Sequence, residues 1–154
     1  MINISRRQLV FATIAMSVSA GLGLAQEGDE WSVDQVHAAL LKDEVVLIDV
    51  RRPEEWAQTG VAQGAWPLDM TSKDFVDNLM QARELAQGRP VALICRTANR
   101  TGFLMRQIRE AGLTGFVDTK GGMAGKAPYK GWIDSDLPRV SAEDAIANLP
   151  VALK

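Results

Sequence analysis

The sequence has one cysteine, Cys95, one histidine, His37, and one tyrosine, Tyr129, among its 154 residues. A lone cysteine excludes an internal disulfide and any zinc site built on paired CxxC elements, and a lone histidine excludes a cage of several imidazoles. No resident metal or cofactor is expected. Charge of one sign is also missing. With 17 basic against 19 acidic residues the formal net charge is -2, so no general affinity for nucleic acid or for a membrane surface follows from charge. What is present is 47% hydrophobic and 23% charged residues with 13 Gly and 6 Pro, the composition of a globular chain of one domain rather than a disordered, collagenous or coiled-coil one.

The one long apolar run lies at the start. Ser5-Arg6-Arg7-Gln8 precedes the uncharged stretch Leu9 to Ala25, and the polar Gln26-Glu27-Gly28-Asp29-Glu30 follows it. A positive start, an apolar middle and small residues Gly23 and Ala25 around Leu24 make the layout of a cleaved export signal. The paired arginines after Ser5, followed by Leu9 and Val10, resemble a twin-arginine signal. An uncleaved membrane anchor is the alternative, although the stretch is short of the roughly 20 residues a spanning helix needs. The expected organisation is therefore a signal peptide at 1–25 and a single domain at 26–154, periplasmic or otherwise exported. Removal of Arg6 and Arg7 leaves that domain with 15 basic and 19 acidic residues. Cys95 would then stand unpaired in an oxidising compartment, which marks it as reactive or intermolecular.

Within the domain, helical and strand patterns alternate. Ser32 and Gln35 form a capping box ahead of Val33, Val36, Leu40 and Leu41. Val45 to Val50 reads as a strand covered on both sides. Pro53 with Glu54 and Glu55 starts a second helix, Gly60 and Gly64 bracket a loop, and Ala65 to Leu68 reads as a short strand. Thr71 and Asp74 start a third helix with Phe75, Val76, Leu79 and Met80 on one face, stopped at Gly88-Arg89-Pro90. Val91 to Ile94 is a second buried-type strand. A further helix carries Leu104, Ile108 and Ala111 and ends at Gly112, Phe116-Val117 is a third strand, and Ser141 caps a last short helix. This order predicts an α/β fold with a mainly parallel central sheet flanked by helices.

Cys95 follows the second strand directly. In open α/β sheets, sites gather outside the carboxyl ends of the strands, where loops feed into helix N-termini. A loop of inward backbone N–H groups, the positive end of the next helix, and Arg96 and Arg100 make a cationic cradle that favours a thiolate and an anionic substrate or adduct. A lone cysteine after a strand is also common as a plain core residue. Two arginines, a threonine and an asparagine in the next five positions are poor core material.

The chain resembles a single-domain rhodanese, a sulfurtransferase, over most of residues 32 to 139. The resemblance rests on Leu47-Ile48-Asp49-Val50-Arg51 with Pro53-Glu54-Glu55-Trp56, on Gly60 and Gly64-Ala65 before Pro67-Leu68, on Cys95-Arg96-Thr97-Ala98-Asn99-Arg100-Thr101, and on Gly121-Gly122-Met123 with Trp132 and Leu137-Pro138. It implies double displacement. The Cys95 thiolate takes the outer sulfur of a small anionic donor such as thiosulfate, and the resulting persulfide gives it to cyanide, a thiol or a protein acceptor. Catalysis then falls to Cys95, and substrate binding to Arg96, Thr97, Ala98, Asn99, Arg100 and Thr101. Arg100 matches the residue that closes the family's loop, while Arg96 lies at a position that varies. Asp49 and Arg51 match a D-x-R element that either buttresses the loop or is a structural ion pair. The chain departs from the family in having Ala98 where Gly is common, and in residues 124–131, which separate Gly121-Gly122-Met123 from Trp132 and either cover the site or form a surface loop. His37 reads as a surface or packed residue, and Trp31, Trp56, Trp66 and Trp132 as core or rim aromatics.

Two other functions remain in view. A Cys-loop-Arg cradle also holds phosphoryl groups in phosphatases and arsenate reductases, but those place five residues between Cys and Arg where this chain has four. A non-catalytic persulfide carrier for a protein partner would keep the same cysteine. The expected interactions include no nucleic acid, and a membrane only if the N-terminal segment stays attached.

Overall fold

The computed structural model describes residues 28–154, so the expected export segment lies outside the described residues. The chain runs β1 (Glu30–Ser32), α1 (Val33–Leu40), β2 (Val46–Asp49), α2 (Pro53–Thr59), β3 (Val61–Ala62), β4 (Trp66–Pro67), α3 (Phe75–Leu85), β5 (Val91–Ile94), α4 (Asn99–Glu110), β6 (Phe116–Lys120), β7 (Arg139–Val140), α5 (Ala142–Ala147) and a terminal 3-10 turn (Val151–Leu153). Five strands form one sheet in the order β1-β6-β5-β2-β4. All of its pairings are parallel. β3 and β7 form a separate two-stranded antiparallel ladder.

The local signals act as the sequence indicates. Ser32 Oγ accepts from the Gln35 N–H while the Ser32 N–H donates to Gln35 Oε1, at 3.2 and 2.8 Å. Pro53 occupies the first position of α2. Gly112, at φ 71, follows α4, and Leu113 N–H reaches back to Ile108 O at 3.0 Å, the wrap that ends helices in a left-handed residue. Ser141 Oγ accepts from the Asp144 N–H at 3.0 Å.

β2 and β5 are buried at every position, and alternate residues serve two cores. Leu47, Ala92, Ile94 and Val117 pack with α1 and Trp132. Val46, Ile48, Leu93 and Phe116 pack with α3 and α4. Each such aliphatic side chain contributes about 1.5–3 kcal/mol on burial. Three faces differ from the periodicity. α3 buries Phe75, Leu79 and Ala82 while Val76 is exposed. α4 buries Thr101, Met105 and Ile108, with Ala111 exposed. Leu41 likewise points to solvent. The buried stripe of each helix is narrower than its apolar pattern, and the residues beyond its edge stay in solvent.

The strand order places the site. The chain passes from β2 outward to β4, then crosses back through α3 to β5 on the other side of β2, and continues outward to β6. Connections therefore diverge between β2 and β5, and the crevice above their carboxyl ends is the topological switch point. Asp49, last in β2, pairs in register with Ile94, last in β5. Cys95 and Arg51 both emerge there.

Candidate active site

Cys95 is 1% exposed and leads into a loop whose backbone is pinned from outside. Its carbonyl accepts from Met123 N–H at 2.9 Å, and the Arg96 carbonyl accepts from Ala124 N–H at 2.8 Å. The segment after β6 is thus laced onto the cysteine loop. Gly122 sits between them at φ +60, and a Cβ there would lie 2.5 Å from Cys95 O and 2.8 Å from Arg96 O. Only glycine allows this approach of two backbones.

Ala98 has φ 62 and ψ 5, a left-handed conformation. Where glycine is common in the family, this chain keeps the loop's turn with an alanine, at a cost of about 1 kcal/mol. Ala98 is also the N-cap of α4 and offers no side-chain acceptor, unlike Ser32 and Ser141. The first N–H groups of a helix have no partner within it. Left uncapped by any side chain and backed by the helix dipole, those of α4 suit an anion held above Cys95. Thr101, fully buried, places Oγ1 3.7 Å from Cys95 Sγ.

The two loop arginines differ. Arg100 forms a bidentate pair with Glu55 of α2, Nη1 to Oε2 at 2.7 Å and Nη2 to Oε1 at 2.5 Å. That fork holds the Glu55 carboxyl down to about 2, against the opposing effect of burial and with help from the Arg52 N–H and the Arg51 charge. Arg100 is pushed up in return, chiefly by the same hydrogen bonds. Arg96 is exposed and forms no salt bridge among the described residues. It lines an open crevice of about 490 Å³ with Arg52, Glu55, Met70 and Arg100. It also borders a smaller one of about 180 Å³ with Arg51, Met123 and Ala124. Arg96, at the position that varies in the family, is therefore the unpaired cation of the loop.

Asp49 and Arg51 form a buried ion pair at 2.7 Å. Arg51 also donates to Thr59 Oγ1 and to the Gly60 carbonyl, both at 2.7 Å. This pair ties the end of β2 to the end of α2 and fixes the wall that carries Glu55. Asn99 is exposed, and its Oδ1 accepts from Lys126 Nζ at 2.6 Å. Residues 124–131 are thus a surface loop that nevertheless touches the cysteine loop. Thr97 and Ala98 face a third cleft, of about 340 Å³, on the side of α4 and β6. His37 packs edge-on against Trp132, ring centres 5.6 Å apart. Trp31, Trp56 and Trp132 are core residues, and Trp66 is half-buried.

Sequence reasoning gave Glu55 no role at the site, reading it as a first-turn acid within the Pro53-Glu54-Glu55-Trp56 string. It also passed over Asp118, a buried β6 carboxyl whose Oδ1 has no hydrogen-bond partner. The signal for Glu55 was its place in the turn after the D-x-R element. Asp118 had one too, as an acid placed directly after the apolar pair Phe116-Val117.

The chain is a parallel α/β domain with a cysteine at its switch point, a short loop and an arginine in the first turn of the next helix. The chain belongs to the rhodanese-like domain family, whose model matches residues 32–126. An uncharacterized protein of Synechocystis is 31% identical over 104 residues, covering 68% of this chain. This chain spans 51% of that relative's length. Among solved structures, the rhodanese-like domain of an Anabaena protein matches at TM-score 0.57 and 18% identity, covering 80% of this chain and 85% of that one. A thiosulfate sulfurtransferase of Pseudomonas aeruginosa matches at TM-score 0.56 and 20% identity, covering 73% of this chain and 20% of the other.

Proposed function

We propose that the protein is a sulfurtransferase that carries sulfane sulfur as a persulfide on Cys95. The observation that supports this most is the join of β5 to α4. A buried cysteine is followed by four residues, a left-handed Ala98 and an uncapped helix N-terminus closed by Arg100. Such a small ring of N–H donors suits a sulfur atom bearing negative charge better than a tetrahedral phosphate.

In the first half-reaction the Cys95 thiolate attacks the outer sulfur of thiosulfate. The S–S bond to the sulfonate sulfur breaks, sulfite leaves, and a persulfide remains. In the second, cyanide or a thiolate attacks the outer persulfide sulfur and Cys95 leaves as thiolate. Arg96, and Arg100 on release from Glu55, bind the donor's oxygens. Thr97 and Asn99 border that anion, and the Ala98 turn and the Thr101 hydroxyl shape the floor. Asp49 and Arg51 support the wall from beneath. Residues 1–25 direct the chain out of the cytoplasm.

Intact-mass measurement after incubation with thiosulfate should show one added sulfur atom, lost in Cys95→Ser and removed by cyanide. Absence of the adduct on the wild-type chain overturns the reading. Single loading without steady-state turnover would identify a carrier that serves a protein acceptor.

A further inference from the structure

Charge is unevenly divided along this chain. From Arg96 to Lys130 there are seven basic residues and two acidic, a net of +5, while the remainder of residues 28–154 has eight basic and 16 acidic, a net of -8. Four of the seven, Arg106, Arg109, Lys120 and Lys126, meet in space where α4, β6 and the 124–131 loop enclose the third cleft, of about 340 Å³. Two carboxylates also line it, and neither governs its mouth. Glu30 is held by Lys120 at 2.5 Å, and Asp118 is 5% exposed. Arg106 and Lys126 form no salt bridge among the described residues. Arg109 reaches only Asp29, at 3.7 Å, with both side chains more than half exposed.

Exposed aromatic rings stand against two of these cations. The Arg106 guanidinium lies 5.7 Å from the centre of the Phe103 ring, and Lys120 Nζ lies 5.7 Å from that of Tyr129. The two rings are 52% and 48% exposed. Aromatic residues and arginine are the types enriched where proteins meet. The cleft ends at the cysteine loop, since Thr97 and Ala98 line it and Lys126 donates to Asn99. It shares no residue with the crevice of Arg96 and Arg100 assigned to the donor.

We propose that this cleft docks the sulfur acceptor, in the form of an acidic segment of a protein that carries a thiol. This rests on the persulfide reading of Cys95. The acceptor thiol loses its proton to water, and its thiolate attacks the outer persulfide sulfur. The bond from that sulfur to Cys95 Sγ breaks, Cys95 leaves as thiolate, and the acceptor departs with the persulfide. An acidic segment meets opposite charge at the cleft and like charge over most of the remaining surface, so it is steered to the face that borders the loop. Nucleic acid or a membrane, extending further, meets the acidic surfaces as well.

The test follows discharge of the persulfide by intact mass, on the full chain loaded with thiosulfate and mixed with short acetylated peptides holding one Cys flanked by Glu, by Gln or by Lys. At low ionic strength the Glu peptide should react roughly tenfold faster than the Gln peptide, the low end of what focused charge gives. Acids beside a thiol disfavour its thiolate, so peptide chemistry alone gives the reverse order. The advantage should vanish near 1 M salt, where charges are screened beyond about 3 Å. Arg106→Glu combined with Arg109→Glu, both exposed on α4, should abolish it and leave discharge to 2-mercaptoethanol unchanged. Equal rates for the Glu and Gln peptides in the wild-type chain, or a preference that survives the double variant, overturns the proposal. A charge-dependent advantage for glutathione with none for the Glu peptide also overturns it, in favour of a small acidic thiol. Fluorescence anisotropy of the Glu peptide with Ser in place of Cys reads docking without sulfur chemistry. Charge-dependent binding by a chain that takes no sulfur from thiosulfate would refute the transferase reading alone. Persulfide formation with no charge preference would refute the docking site alone.

Discussion

Two arginine–carboxylate pairs flank the cysteine loop and differ in kind. The pair from β2, Asp49 and Arg51, has side chains 0% and 2% exposed. Arg51 binds both Asp49 oxygens, a threonine hydroxyl and backbone carbonyls. The other, Glu55 and Arg100, is 20% and 31% exposed, and Arg100 has only Glu55 to hold. An ion pair whose remaining donors are all used inside the protein cannot open without leaving a buried charge, so it fixes structure. A pair at the rim opens at little cost, and an incoming anion can take the place of its carboxylate. The first pair therefore builds the wall, and the second is suited to act as a gate for charge at the site.

The sharpest way to break this contrast is to remove one partner from each. Arg51→Met should destabilise the chain by about 3–5 kcal/mol in urea unfolding, because Asp49 is left buried and unpaired. Arg100→Ala should cost no more than about 1 kcal/mol yet raise the apparent KM for thiosulfate roughly tenfold, as loss of one charged contact does. An unchanged KM with a large loss of stability would reverse the roles assigned to the two pairs. Glu55→Gln frees Arg100 and should lower that KM.

Acid sharpens the same comparison. Glu55 sits at about 2 in the folded chain against an ordinary 4.5, so the unfolded chain binds more protons between those values. The stabilisation from this pair is complete above pH 4.5 and is lost as pH falls toward 2. In Arg100→Ala the acid limb of the unfolding profile should flatten by up to about 1 kcal/mol. A smaller effect is expected inside the loop. Ala98→Gly should stabilise by a few tenths to about 1 kcal/mol, since glycine adopts φ 62 without the alanine's penalty at the cost of greater unfolded-state freedom.

Features carried by local chemistry were readable from the residues. The Ser32–Gln35 box, Pro53 at a helix start, the buried runs at 46–49 and 91–94, and the position of Cys95 after β5 each follow from a few neighbouring side chains. Features made by distant residues were not. β1 was absorbed into the start of α1 because its three residues become a strand only against β6. The β3–β7 ladder joins two-residue strings far apart in the chain. The Glu55–Arg100 fork spans 45 residues, and Lys126 meets Asn99 across 27.

By itself, then, the sequence determined the alternating α/β order, the family, and Cys95 with its short loop, because capping, β-branched runs and turn residues act over a few bonds. The tertiary structure alone decided that Arg100 is paired and Arg96 is not, and that the buried Thr101 hydroxyl lies 3.7 Å from the Cys95 sulfur. Those relations depend on which elements the parallel sheet sets side by side. Charge and proton affinity at the site follow from neighbours in space, and in a switch-point fold such neighbours come from different strands.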